Sequence, residues 1–406
     1  MIFKNNAVQF YILTILNGVV PLIAISFLSR MLNSEQFGTY LLSFTIMNVL
    51  GMIVDFGFSI SGVRTLSNNN LGMSDNSFVL ISYFIKTVIF FVVSIFYYFF
   101  YLYSTSWNAD FYLITILGIF LTGLDSIWIL QVNGIISKII IRNIVANIIY
   151  ISFVFLIGYL TKNYAAVLWV FIVYKFYLFI ISLKEVSKKY IMSGVIVSRE
   201  NVKFVIKSTV GIAVFRFFAL SYTAANGILL NFLTNKYQVA LYLAFEKLNK
   251  LILFVATPVT QALLPLFTGG VKHHSLAKYV MFIIAVSGLG LMIGNWLSSD
   301  IIAILIGNAY VNENTSKLFF FMTIISPFIL ISNAIGMLYF IPNKLDKILN
   351  YIVCCAALIN VTLVLYFVHS ELNGALQMAI IVAFSEFLVM LAMVVVRYVH
   401  RKNYGK

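Results

Sequence analysis

The chain has 406 residues, 62% of them hydrophobic and only 10% charged, with a net charge of +14 and a mean hydropathy of +1.00. Soluble domains carry about a quarter charged residues, so this composition excludes a soluble globular fold and makes the chain an integral membrane protein. No nucleic-acid-binding module accompanies the positive charge, which is better matched to anionic headgroups at a membrane surface.

A bilayer core about 30 Å thick takes roughly 20 apolar residues as helix, with every backbone polar group satisfied inside the segment. Twelve helical spans are predicted on that rule, giving an all-α polytopic membrane protein: 8–28, 40–60, 78–103, 111–132, 140–160, 164–183, 209–232, 239–267, 277–297, 318–341, 348–368 and 375–398. The first lacks a basic n-region followed by a small-residue cleavage site and is expected to be a retained helix. Cys354 and Cys355 are adjacent in the eleventh span, a spacing that offers neither a disulfide framework nor a metal site.

With the N-terminus placed inside, 18 of the 27 Lys and Arg fall in cytoplasmic segments or, as Arg142, Lys278 and Arg397 do, within the first or last three residues of a span at its cytoplasmic end, and four fall outside, at Arg30, Lys162, Lys236 and Lys317. By the positive-inside rule both termini are cytoplasmic. The richest basic segment, 184–207, is the expected linker between an N-terminal six-helix bundle, 1–183, and a C-terminal one, 208–406. One stretch recurs across it at an offset of 202 residues: Gln36, Gly38, Tyr40 and Leu41 align with Gln238, Ala240, Tyr242 and Leu243. An even number of spans separates the copies, so both enter the membrane in the same direction, as in transporters with parallel repeats and a binding site between the halves.

Charges inside spans are costly and usually face a bundle interior or a water-filled cavity. Taken in chain order, Asp55 lies in the second span, Lys86 in the third between Ser82 and Ser94, Asp125 in the fourth and Lys175 in the sixth. In the seventh, Arg216 shares a helical face with Thr209, Thr223 and Asn226. The eighth carries Glu246, Asn249, Lys250, Thr257 and Gln261, with Pro258 and Pro265 expected to bend its cytoplasmic end. Glu386 lies in the twelfth. Snorkelling to the interface is the structural alternative for Lys86, Lys175 and Arg216, and an internal ion pair with Glu246 is the alternative for Lys250. Lys247 points off the polar face and reads as structural. The carboxylates are candidate counter-ions or proton sites, which the sequence does not pair.

No phosphate-binding glycine loop, zinc-binding helix motif or Cys/His cluster occurs, so no cofactor, metal or catalytic centre is expected. An aqueous path lined by cations suits an anionic group, above all a pyrophosphate, held by charge-assisted hydrogen bonds. A wet route also spares a saccharide head the loss of its hydroxyl partners in hydrocarbon.

LSRMLNSEQFGTYLLSF from Leu28, DFGFSISGVRTLSN from Asp55 and YLAFEKLNKLILFVATPVTQALLPLF from Tyr242 resemble the signature regions of Wzx-type O-antigen flippases, within the multidrug, oligosaccharidyl-lipid and polysaccharide exporter superfamily. With twelve spans and the six-plus-six layout, the resemblance covers essentially the whole chain. It implies a bacterial inner-membrane protein that flips an undecaprenyl-pyrophosphate-linked oligosaccharide outward by ion-coupled alternating access. Polysaccharide polymerase and chain-length proteins are the implied partners, besides membrane lipids. In that reading Arg216 and Lys86, with Lys175 and Lys250 as further candidates, bind pyrophosphate, and Glu246, Asp125, Glu386 or Asp55 carries the coupling ion. Arg30 aligns with Phe232 in the second copy of the repeat, so its role, gate or topology, stays open.

Two other classes compete. A drug/cation antiporter of the same superfamily would favour an acidic cavity. A membrane-embedded polysaccharide polymerase or ligase would need a sizeable outside loop with catalytic residues, and the longest here, about 298–317, has only Asp300 and Glu313 as acids.

Overall fold

The structure, a computed structural model, describes residues 6–66, 73–103, 109–132, 136–190, 198–268, 273–340, 342–343, 345–369 and 374–404, with side chains at 6–17, 136–139, 255–259, 261–268 and 273–275 among those outside the description. The side chains of Thr257, Pro258, Gln261 and Pro265, on which sequence-predicted features rest, and residues 191–197 of the 184–207 segment therefore lie outside the description.

Helices α1 (Asn6–Met31), α2 (Ser34–Asp55), α3 (Phe58–Leu66), α4 (Asp75–Tyr103), α5 (Ala109–Gly123), α6 (Ile127–Val132), α7 (Ile136–Thr161) and α8 (Tyr164–Lys189) occupy the first part of the chain. They are followed by α9 (Arg199–Thr223), α10 (Ala225–Leu233), α11 (Lys236–Thr268), α12 (His273–Trp296), α13 (Ser298–Ile306), α14 (Glu313–Ile335), α15 (Asp346–His369) and α16 (Ala375–Tyr404). Helical backbone occurs at each of the twelve predicted spans. Among the described residues, ten stretches are long and apolar enough to cross a membrane. The other two, in α1 and α11, are those with many side chains outside the description. Large apolar side chains point outward along these helices, Phe96 at 72% and Trp296 at 83% exposure being two. That is what a lipid-facing surface requires and a water-facing one avoids.

Contacts gather the chain into two compact units, Met1–Leu13 with Thr39–Leu220, and Thr14–Gly38 with Ser221–Lys406. In the second unit α14 packs against α11, α12 and α16. Phe245 meets Phe319 edge-on at 5.5 Å. Asn249 accepts a hydrogen bond from Ser326 at 2.6 Å and donates to the carbonyl of Met322, so this polar residue joins α11 to α14.

The repeated stretch also repeats a helix cap. The Asn33 side chain accepts the backbone N–H of Gln36 at 2.8 Å, and 202 residues later Asn235 accepts that of Gln238 at 3.0 Å. Each satisfies a donor that the first helical turn leaves open. Tyr40 and Tyr242, which follow at equal distances, are both buried.

In the first unit the second and fourth predicted spans are each broken. Between α2 and α3, Phe56 has φ 52° and Gly57 φ 79°. The Asp55 side chain accepts the Ser59 N–H at 3.2 Å and the Ser59 hydroxyl at 2.8 Å, replacing backbone bonds that the break removes. A Cβ at Gly57 would lie 3.0 Å from the Ile212 side chain and 3.2 Å from the Ala213 nitrogen, so glycine serves both the left-handed backbone and the close approach of α9. Ser61 donates to Thr209 across the same contact at 3.2 Å. Gly57→Ala is expected to cost about 1–3 kcal/mol of stability, read as a lower melting temperature of the purified protein. An unchanged melting temperature would show that the break relaxes freely.

Between α5 and α6 the second break leaves Asp125 and Ser126 outside the helices. The Asp125 side chain accepts the Ile127 N–H at 3.0 Å, and Ser126 shares a hydrogen bond with Tyr83 of α4. Around both breaks Phe58, Phe78, Ile81, Ile85, Trp128 and Ile129 form one buried apolar cluster. An aspartate thus stands at each break, on the rim of that cluster.

Candidate functional site

Three of the sequence-selected charges meet at the first break. Lys86 Nζ lies 2.7 Å from Asp55 Oδ1, and Arg216 Nη1 lies 2.9 Å from Asp55 Oδ2. Lys86 also donates to the backbone carbonyl of Asp125 at 3.3 Å, so its ammonium ties the two broken spans together. The same ammonium sits 5.9 Å from the ring centres of Phe58 and of Trp128, near enough for cation–π attraction. Its stem does not snorkel.

One carboxylate here serves two cations, leaving a surplus of one positive charge. Exposure decides where that surplus is presented: the Lys86 side chain is 1% exposed and that of Arg216 26%. Arg216 opens onto a cavity of about 390 Å³ whose wall also contains Asp55, Ser59, Thr122, Asp125 and Trp128. A guanidinium offers five donors in a fixed fork. An incoming anion can therefore engage donors that Asp55 leaves open, and can compete with Asp55 for the rest.

Asp125 faces the same cavity. Lys175, on α8, attracts Asp125 electrostatically and holds its ammonium 5.7 Å from the Phe171 ring centre, but it is not part of the cavity wall. The remaining candidates belong to the second unit. On α11 Lys250 forms an ion pair with Glu246, one turn earlier. Lys247 is buried beside them. Glu386 on α16 is 3% exposed and interacts electrostatically with Tyr222. In this unit the buried side-chain oxygens of Asn226 and Asn360 have no hydrogen-bond partner among the described residues.

Arg30 is placed at the end of α13. Its guanidinium donates to the carbonyls of Ala303 at 2.8 Å and Ile304 at 2.6 Å and to the Ser26 hydroxyl at 2.8 Å. Ser26 donates in turn to the Ile304 carbonyl at 2.8 Å. The Ala303 carbonyl also accepts the Gly307 N–H at 3.1 Å, so the guanidinium adds a second donor there, and a cation over the last carbonyls of a helix complements the helix dipole. Arg30→Gln is expected to lose about 1–2 kcal/mol of stability, measured by thermal unfolding. A pure gate would instead alter transport with melting unchanged.

Reasoning from the sequence missed Ser59, Phe58 and Trp128. A hydroxyl four residues after Asp55 across a glycine was the available signal for Ser59. Nothing in the local pattern marks the two aromatics as an ammonium enclosure.

The sequence matches the family model described as polysaccharide biosynthesis protein over residues 3–271. No curated protein matches the chain by sequence. Among solved structures, the chain is similar to the lipid II flippase MurJ in an inward closed conformation, with a TM-score of 0.72, 14% identity, and coverage of 96% of this chain and 86% of that one. It is similar to an inward-facing multidrug resistance MATE family transporter of the MOP superfamily, with a TM-score of 0.72, 11% identity, and coverage of 98% and 100%. A MOP superfamily transporter from Pyrococcus furiosus matches with a TM-score of 0.54, 11% identity, and coverage of 98% and 95%. At these identities the likeness is one of fold.

Proposed function

This chain belongs to the polysaccharide biosynthesis protein family, within the multidrug, oligosaccharidyl-lipid and polysaccharide exporter superfamily of membrane transporters, and on that premise we propose that it flips a lipid-linked oligosaccharide across the bacterial cytoplasmic membrane. It is a transporter and not an enzyme. The cargo in this reading is an undecaprenyl-pyrophosphate-linked repeat unit of a surface glycan. The supporting observation is the unbalanced triad of Asp55, Lys86 and Arg216, whose surplus charge stands on a cavity wall. Lys86 holds Asp55 from the buried side, and Arg216 takes the pyrophosphate from the wet side.

Binding then acts as an exchange. Pyrophosphate oxygens replace Asp55 on Arg216 by charge-assisted hydrogen bonds, and the carboxylate released on its Arg216 side becomes able to take a proton or sodium ion. Asp125 on the same wall is a second carrier for that ion, with Glu246 and Glu386 as candidates in the other unit. Lys175, beside Asp125 but off the cavity wall, is less available to cargo, while Lys250, paired with Glu246 and 37% exposed, stays a further candidate for the anion. Alternating access follows from two six-helix bundles, 1–183 and 208–406, joined by the basic segment 184–207 with both termini in the cytoplasm. Polysaccharide polymerase and chain-length proteins would receive the flipped product.

A cation antiporter is the second reading, favoured by Asp55 and Asp125 lining one cavity. Deletion of the gene separates the two. Lipid-linked oligosaccharide accumulating on the cytoplasmic leaflet is the expected result. Sensitivity to cationic drugs with unchanged surface glycan would instead favour the antiporter.

A further inference from the structure

Arg216 borders two cavities. The second, about 360 Å³, is also lined by Ile53, Phe56, Val214, Phe217 and Leu220, and among its lining residues Arg216 is the only one with a polar side chain. Met52 and Arg216 belong to the walls of both cavities. A polar and an apolar chamber thus adjoin at one guanidinium.

We propose that the apolar cavity holds the pyrophosphate-proximal isoprene units of the lipid carrier while Arg216 holds its pyrophosphate. The inference rests on the flippase reading above and extends it from the head of the cargo to the start of its tail. An apolar cavity of about 150 Å³ takes a six-carbon ring. By that ratio 360 Å³ has room for roughly fourteen carbons, close to three isoprene units.

The chemistry of the junction selects among lipids. In a prenyl pyrophosphate the chain begins one bond from the phosphate oxygen, so hydrocarbon starts where the anion ends. A phospholipid places glycerol and two ester carbonyls between phosphate and hydrocarbon. With the phosphate on Arg216, those oxygens would sit in a chamber whose wall, among the described residues, offers no other side-chain donor, at the cost of burying unpaired polar groups. The conformation of the second span creates this junction. The break at Phe56 and Gly57 brings the chain within van der Waals reach of Ile212 and Ala213, and Phe56 and Gly57 themselves line the apolar side while Asp55 lines the polar side.

The test uses the full-length purified protein with three probes: farnesyl pyrophosphate, inorganic pyrophosphate and phosphatidic acid. Wild type is expected to bind farnesyl pyrophosphate at least about tenfold more tightly than inorganic pyrophosphate. Ala213→Trp, which fills the chamber, should remove most of that advantage and leave inorganic pyrophosphate within about twofold. Val214→Asn, at a half-exposed position, should act in the same direction without added bulk and serves if the tryptophan variant does not fold. A farnesyl advantage that survives both substitutions, or equal competition by phosphatidic acid, would overturn the inference and leave the flippase reading standing. Failure of wild type to bind either pyrophosphate would overturn both.

Discussion

Replacing Arg216 with glutamine is expected to abolish export of the surface glycan while the protein still inserts at wild-type abundance. Glutamine keeps a polar side chain but removes the charge, and Asp55 retains Lys86 at 2.7 Å and the Ser59 hydroxyl at 2.8 Å. The remaining pair is electrically balanced, so the fold loses little. The cargo loses its cation. A hydrogen bond to a charged group contributes about 1.5–3 kcal/mol, and two such bonds in a fork correspond to a loss of roughly 10²- to 10⁴-fold in binding. Surface glycan staining beside an immunoblot of the membrane fraction reads both halves of the expectation. Normal glycan in this variant would remove Arg216 from the mechanism.

Asp55→Asn should instead fail at the level of folding. It leaves Lys86, 1% exposed, as a buried ammonium facing a neutral amide. Removing one partner of a buried pair costs about 3–5 kcal/mol, because the other charge remains without compensation. Abundance and melting temperature are expected to fall sharply. Asp55→Asn combined with Lys86→Met should recover much of both, since an apolar side chain of similar length suits the cluster of Phe58, Phe78, Ile81 and Trp128. The recovered protein separates stability from transport: it folds, keeps Arg216, and lacks the carboxylate with which cargo exchanges. Asp55→Asn melting like wild type would contradict the assignment of Lys86 as a charge held in place by Asp55.

The spans were legible because hydrocarbon imposes one solution, a long apolar helix, and helical backbone occurs at each predicted position. The charges were legible because they are rare in such a background. Their pairing was not, since Lys86 and Arg216 lie 31 and 161 residues from Asp55 and only tertiary packing brings them together. Local spacing could not separate a snorkelling Lys86 from a buried one, because both fit a lysine about eight residues from a helix end. The break at Asp55 was half visible: Gly57 marks it, but Phe56 at φ 52° has no signal, as phenylalanine seldom takes that conformation. The paired caps at Asn33 and Asn235 were readable and overlooked, each being an asparagine just before a helix. Arg30 shows the opposite limit. Its partners are backbone carbonyls of α13, which no side-chain pattern announces.

The central claim is that position 216 presents positive charge to a water-filled cavity. It is tested most directly by Arg216→Cys in a background with Cys354 and Cys355 replaced by alanine, treated with membrane-impermeant thiosulfonates of either sign. The account predicts that the site is labelled and that the cationic reagent, which restores a charge, recovers glycan export while the anionic reagent does not. A position that stays unlabelled from both membrane faces, or recovery independent of the reagent's sign, would contradict it.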